Sequence, residues 1–426
     1  MAKNPSRSRP TSQLVAGVAD ASDLRVAEFA AAAGMAACLV AACIVPSLFD
    51  PRAERIFDEP KILLLRSVAV LGAASLLTWV IACRRSSWLI TFGIRSVTAP
   101  LKAAVVLTAA YVTASVSSIA PGIAWDGAYV RREGTYTLLC YLIFFLIICF
   151  FVRTRGQVSR LILTFLLASV FPVAYAICQR LGVDPLLWNN PTPSRVTSTA
   201  GNSIFLGGYL IMVWPVTLAQ AVLTGSCVWR RNHPAASTSR ACTLAAFSCL
   251  ALLVAQTAAI VLTGSVGVWL ALAAGILVLL GVLLNWLVSL RTRICLLTIA
   301  VVSIGVMGLL AAARRPISNT SGSTATQSSS TTSRSGEVRL LLWRSAIELL
   351  RQRPMRALVG YGPDTTRFTL GRYQPAAVRK LEGPATADRA HNLLLDTVLT
   401  VGLVGLFGQT LFFGTICLCA LRRLGL

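Results

Sequence analysis

The chain has 426 residues, of which 55% are hydrophobic and 13% charged, with a mean hydropathy of +0.71. That charge content is about half the globular norm. It excludes a disordered chain, a coiled coil and an ordinary soluble enzyme, and points to a polytopic helical membrane protein. The net charge of +23 comes from 39 Lys+Arg against 16 Asp+Glu. In a soluble protein such a balance would suggest nucleic acid. Here the basic residues lie mostly between apolar runs of spanning length, so membrane topology is the better explanation and nucleic acid is no expected partner.

A membrane helix needs about 20 apolar residues. Ten runs qualify, at roughly 26–48, 61–83, 101–120, 135–152, 161–178, 204–224, 241–263, 266–290, 294–313 and 392–421. The seventh and eighth are separated only by Thr263-Gly264-Ser265, which predicts two helices joined by a tight turn. Lys3, Arg7 and Arg9 lead into a first run too long for the core of a cleavable signal peptide, so the first span reads as a retained anchor. The 12 cysteines are scattered, mostly inside apolar runs, with no zinc or disulfide spacing; they read as small packing residues.

With the N-terminus in the cytoplasm, the inner loops hold Arg84, Arg85 and Arg95; Arg153, Arg155 and Arg160; Arg230, Arg231 and Arg240; Arg291 and Arg293; and finally Arg422 and Arg423. Short outer loops are poorer in net positive charge, which satisfies the positive-inside rule throughout. Residues 314–390 form one long outer loop with 13 Lys+Arg against 5 Asp+Glu. Ser318–Ser335 is nearly all Ser, Thr, Gly, Asn and Gln, a composition that reads as a flexible linker. Val338–Arg353, stopped by Pro354, has a broad apolar face with arginines elsewhere and predicts a short amphipathic helix on the outer leaflet. The expected fold is therefore all-α: a transmembrane helical bundle of about ten spans with one long extracytoplasmic loop. Its parts are a bundle over 1–313, the loop over 314–390 and a last transmembrane helix over 391–426. Membrane lipids are partners by construction. The loop's positive charge fits either anionic lipid head groups or an anionic substrate.

Three outer segments carry candidate chemistry. His391 opens the last span in Asp388-Arg-Ala-His-Asn392; histidine is the side-chain type that accepts a proton near neutrality, although a lone histidine at a membrane boundary is often structural. Arg195 precedes Gly201-Asn202-Ser203, where a tight turn would offer backbone N–H groups to an anion, or else form a plain polar loop. Arg131 and Arg132 stand in an outer loop against the charge trend, with Glu133 able to neutralise one of them. His233 reads as a solvated inner-loop residue. No metal-ligand spacing and no nucleotide-binding glycine motif is visible, so no metal or cofactor is expected.

Four stretches, in order across about 260 residues, resemble the O-antigen ligase / Wzy polymerase superfamily of bacterial membrane glycosyltransferases. Arg195-Val-Thr-Ser-Thr-Ala-Gly-Asn-Ser-Ile-Phe-Leu-Gly-Gly-Tyr209 is similar to that family's Arg…Gly-Asn-Pro-Asn-x-Leu-x-x-Tyr segment. Thr263-Gly-Ser-Val-Gly-Val-Trp-Leu270 resembles its Thr-x-Ser-Arg-Gly turn. Arg339, Trp343, Pro354 and Gly360-Tyr-Gly362 resemble its outer-loop helix followed by Gly-x-Gly, and His391-Asn392 its His-Asn pair. Three departures stand out: Ser203-Ile204 replaces Pro-Asn, Val266 replaces the usual arginine, and the chain ends at Leu426, where members usually carry about two further spans. A fragment, a truncated product and a shortened member all fit that end.

The resemblance implies a metal-independent, inverting enzyme on the outer face of the bacterial cytoplasmic membrane. It implies transfer of a glycan from undecaprenyl diphosphate to an acceptor hydroxyl on lipid A–core sugar, a growing glycan or a protein. On that reading His391 is the general base. Arg195 and Arg339, then Arg344 and Arg131, bind the diphosphate, and Gly201, Asn202 and Asn392 orient the site. Polymerase or protein O-oligosaccharyltransferase activity is the nearest alternative. A lipid-linked glycan transporter or an inactive homologue is the alternative from another class.

Overall fold

The structure is a computed structural model and describes residues 11–85, 98–184, 195–229, 236–287, 326–373, 375–378 and 387–424. The ninth expected span, the start of the Ser/Thr-rich stretch and His233 lie outside these residues. Among the described residues there are helices and turns but no strand. Where lipid offers no hydrogen bonds, a backbone must satisfy its own polar groups, and the α-helix does so within one segment.

In chain order the helices are α1 (Thr11–Ile44), α2 (Asp58–Arg85), α3 (Thr98–Val116), α4 (Pro121–Asp126), α5 (Thr135–Phe151), α6 (Arg155–Leu181), α7 (Ser203–Trp229), α8 (Ala236–Leu262) and α9 (Val266–Leu287). After the long loop begins come α10 (Thr326–Gln352), α11 (Pro354–Val359), α12 (Thr366–Tyr373) and α13 (Leu393–Arg423). Seven of them, α1, α2, α3, α6, α7, α8 and α13, are long and apolar enough to cross a membrane, while α5 and α9 are shorter apolar helices. The chain is a multi-pass membrane protein, and the described residues hold these seven spanning helices with the two shorter apolar ones beside them.

Two compact units divide the chain: Met1–Ala41, Ile62–Thr154 and Thr326–Leu426 in unit 1, and Ala42–Lys61 and Arg155–Ala325 in unit 2. Unit 1 has two apolar cores. One joins Ala27, Ala30, Cys38, Trp79, Cys83, Ile147 and Phe151, where two of the cysteines serve as small packing residues. The other is built by α10. Val338, Leu342, Ala346 and Leu349 recur at helical spacing, so one stripe of the helix is buried against Tyr361, Leu370, Val378, Ala390 and Leu399. The helix starts at Thr326, earlier than the composition suggests. Once the packed turns from Val338 are formed, adding further residues costs little, because propagation fixes one residue per hydrogen bond. Unit 2 has one core, centred on Val173, Ala176, Val196, Leu206, Leu210, Ile260 and Val268.

Two departures from the expected spans matter for the site. The Thr263-Gly264-Ser265 break separates α8 from α9 as the sequence suggests, with Gly264 at φ +58°. The last span, expected as one helix, is broken at Gly402, whose φ of +71° and ψ of −177° are not helical. The break frees two carbonyls, and the Gly-Tyr-Gly segment occupies them: Tyr361 N–H donates to Leu399 O at 2.8 Å and Gly362 N–H to Thr400 O at 2.9 Å. The chain folds sharply enough for the Thr397 hydroxyl to reach Gln409 Oε1 at 3.4 Å, a pair twelve residues apart. At a rise of about 1.5 Å per residue, twelve helical residues would separate them by about 18 Å.

Arg66 organises the loop between α4 and α5 of unit 1. It is 8% exposed and donates to Asp126 Oδ1 (2.6 Å), the Asp126 and Arg132 carbonyls and the Thr137 hydroxyl. Its guanidinium also lies 4.8 Å from the Tyr136 ring centroid. Removing one member of a buried, multiply bonded ion pair leaves the rest unsatisfied, which costs several kcal/mol when burial is complete. Asp126 is partly exposed, so Arg66→Met is expected to destabilise by about 2 kcal/mol. A melting temperature in detergent equal to wild type would contradict this.

Candidate functional site

The four motif stretches gather into two groups, one in each unit. In unit 1, α10, the Gly-Tyr-Gly segment and the His391 turn are tied together. Trp343 Nε1–H donates to Ala390 O at 2.9 Å. The Asp396 carboxylate accepts from Ala390 N–H at 2.7 Å through Oδ1 and from Asn392 N–H at 3.3 Å through Oδ2, so its two oxygens grip the residues on either side of His391. Asn392 caps α13: its side-chain oxygen accepts from Leu394 N–H (3.0 Å) and Leu395 N–H (3.3 Å). An asparagine at this position is what a helix N-terminus prefers. His391 itself sits at φ +55°, a left-handed conformation uncommon for a residue with a Cβ, and its side chain is exposed. Its imidazole makes no hydrogen bond within the described residues.

Arg339 and Arg344 are both exposed on α10. Arg339 stands one turn before Trp343, on the flank that leads to Ala390 and His391. Arg344 lies about 140° round the helix from Arg339 and is carried away from that flank. Arg131 is engaged: its Nε and Nη2 reach Asp388 Oδ2 at 2.9 and 2.7 Å. Arg132 pairs with Asp126 at 2.7 Å. Glu133 makes its ion pair with Arg389 rather than with either of these arginines, although its charge still favours the Arg131 cation. Burial alone would raise the Asp388 carboxyl, but the hydrogen bond and charge of Arg131 prevail and hold it below the usual carboxylate range. Asp364 goes the other way. Burial raises it, against the N–H groups of Ala128 (2.7 Å) and Glu133 (3.3 Å) that bind its Oδ2.

In unit 2, Arg195 lies on the Thr-Gly-Ser turn. Its Nε–H donates to Thr263 O at 2.9 Å, and Val196 N–H reaches Leu262 O at 3.2 Å. The following residues form a short 3-10 turn, Ser198–Ala200, ended by Gly201 at φ +67°. A Cβ on Gly201 would strike the Phe57 ring, so only glycine fits there. The N–H groups of Thr197 and Ser198 are spent on Gln179 Oε1, at 3.1 and 2.7 Å, and are not available to an anion. Asn202 Oδ1 accepts from Ile204 N–H at 2.8 Å and caps the start of α7.

Sequence reasoning missed several residues here. Lys61 sends its ammonium to Thr199 O, which brings a second cation to the turn. Gln179 orders the same turn. Asp396 holds the His391 segment, beside Trp343, which the sequence singles out only within the resemblance. Lys61 and Gln179 stand at the edges of apolar runs and Asp396 inside one, and a polar residue so placed is the signal by which they could be found. Among the described residues no three His, Cys, Asp or Glu side chains are grouped to hold a metal ion.

Residues 247–408 match the Wzy_C family model, described as O-antigen ligase. The match runs from within α8, through the Thr-Gly-Ser turn and the long loop, to the part of α13 beyond Gly402. Over these residues the chain is similar to that family. No curated protein and no solved structure matches the chain.

Proposed function

We propose that the protein transfers a glycan from a lipid diphosphate, undecaprenyl diphosphate, to an acceptor hydroxyl at the outer face of the bacterial cytoplasmic membrane. The observation that carries this reading is His391: an exposed imidazole with no hydrogen bond among the described residues, on a turn fixed on both sides by one carboxylate. A general base needs this combination of firm placement and a free lone pair. In the proposed step His391 takes the proton of the acceptor hydroxyl. The acceptor oxygen bonds to the anomeric carbon as the bond from that carbon to the diphosphate oxygen breaks. The lipid diphosphate leaves with the electron pair, and a single displacement inverts the anomeric configuration.

Charge grows on the diphosphate as it leaves, and arginine answers it with always-charged, bidentate donors. Arg195 and Arg339, each in its own unit, can offer such donors because both are exposed, and among the described residues Arg195 spends only Nε on the protein. Arg131 serves the site indirectly by holding Asp388, and Arg344 is better placed to meet lipid head groups. Gly201 shapes the Arg195 turn, while Asn202 and Asn392 start the helices that carry it and His391. The positive-inside pattern of the short loops supports an outer location for both groups.

The test is transfer in proteoliposomes with undecaprenyl-diphosphate oligosaccharide and three acceptor classes: lipid A–core, free glycan and a Ser/Thr protein. Product with inverted linkage is expected, and the acceptor consumed names the subtype. A folded chain that transfers to none of them would overturn the proposal. Within the same assay Arg195→Ala is expected to lower kcat/KM for the donor roughly 10- to 100-fold, the loss of one charge-assisted contact, with Arg195→Lys intermediate. An unchanged donor kcat/KM would remove Arg195 from the site.

A further inference from the structure

Beside His391, unit 1 holds a cavity of about 170 Å³ that the proposed reaction does not yet use. Arg389 and Leu393, which flank His391 in the chain, both line it. It is a polar cavity in an otherwise apolar protein. Thr366 lines it and is 4% exposed, yet its hydroxyl has no hydrogen-bond partner among the described residues. The Tyr111 hydroxyl, on another wall, likewise has none. Both hydroxyls open onto the cavity and are available to a polar guest there.

The remaining lining says what kind of guest. Among the described residues, Asp364 and Asp388 bind the protein through Oδ2 and leave Oδ1 without a partner. Glu133 binds Arg389 through Oε2 and leaves Oε1 free. Gln409 accepts from Thr397 through Oε1 and leaves its amide NH2 free. Free carboxylate oxygens, hydroxyls and an amide arrayed around a small space match the alternating donors and acceptors of a sugar's neighbouring hydroxyls. The charge balance is equally informative. Glu133, Asp364, Asp388 and Asp396 line the cavity against Arg389, with Arg131 behind Asp388, so four carboxylates face two guanidiniums. An anionic guest, whether diphosphate or uronate, would be repelled.

We propose that this cavity binds the acceptor sugar, a neutral or amine-bearing pyranose, and excludes acidic ones. This rests on the transfer reading above and deepens it: donor diphosphate goes to the exposed arginines, the acceptor ring to the carboxylate-lined cavity, and His391 lies on the turn that borders it.

The test uses three near-isosteric variants that leave His391 and the arginines untouched: Thr366→Val, Tyr111→Phe and Gln409→Leu. Each is expected to raise the acceptor KM roughly 3- to 30-fold, the loss of one or two hydrogen bonds, with the donor KM unchanged. Glucoside and glucosamine acceptors are expected to be used at least tenfold better than the glucuronide. Saturation-transfer NMR with the full chain in detergent gives a readout independent of catalysis: methyl glucoside should show contact with wild type and lose it in Thr366→Val/Tyr111→Phe. Wild-type transfer with unchanged acceptor KM in all three variants, or with the glucuronide used equally well, would overturn the proposal. Variant-sensitive sugar contact without any wild-type transfer would instead sink the transfer reading and leave the cavity as a saccharide site.

Discussion

Gly402→Ala is expected to destabilise the protein by more than about 3 kcal/mol. The position combines two demands that only glycine meets. Its φ of +71° with ψ of −177° lies in a region closed to side chains. A Cβ built there would land on the Leu358 carbonyl and the Val359 nitrogen, which are backbone atoms and cannot swing aside. Relieving the clash means moving α11 away from the break. That pulls Tyr361 and Gly362 off the carbonyls of Leu399 and Thr400, which the interrupted helix has left without a partner. In an apolar setting each orphaned carbonyl adds its own penalty. Gly414→Ala is the control: it lies in the same helix, has nothing within 4 Å of its would-be Cβ, and should change stability by less than about 0.5 kcal/mol. Melting in detergent compares the two directly. Equal melting temperatures would refute the account of the break.

The break at Gly402 also shows where sequence reasoning stopped. Hydropathy finds residues that prefer lipid, and over 392–421 it finds them continuously, so a single span was the natural reading. A sharp turn inside an apolar run leaves no trace in hydropathy when its polar groups are satisfied from elsewhere in the chain, here by Tyr361 and Gly362. The helix α10 was legible because its buried stripe repeats at helical spacing, and the Thr263-Gly264-Ser265 turn because it interrupts a run too long for one span. Site residues divide the same way. His391 and Arg195 stood out as polar residues at expected outer boundaries, and Arg339 through the resemblance of its helix. Arg131 did too, yet it is spent on Asp388, a partner 257 residues away that no local pattern could supply. Asp396 was hidden for a related reason. It reads as one acid at the head of a span, and its purpose emerges only when Ala390 and Asn392 fold back onto it.

That purpose sets the second large effect. His391→Ala is expected to lower transfer at least about 100-fold, the ordinary contribution of a positioned general base, in kcat with little change in donor KM. Asp396→Asn should reproduce part of the loss without touching the imidazole. Asparagine keeps the size of the side chain but offers one acceptor oxygen where the carboxylate offers two. Either Ala390 or Asn392 is then released, and the left-handed turn at His391, costly for a residue with a Cβ, loses part of what holds it. A fall in kcat of about tenfold is expected, with the helix cap from Asn392 intact and the melting temperature near wild type. Added imidazole separates the two roles. It should restore some transfer to His391→Ala, where the base is missing and its space is open, and none to Asp396→Asn, where the base is present but poorly aimed. Full activity in His391→Ala would remove the histidine from the mechanism. Rescue of both variants to the same degree would mean that Asp396 does not act by positioning it.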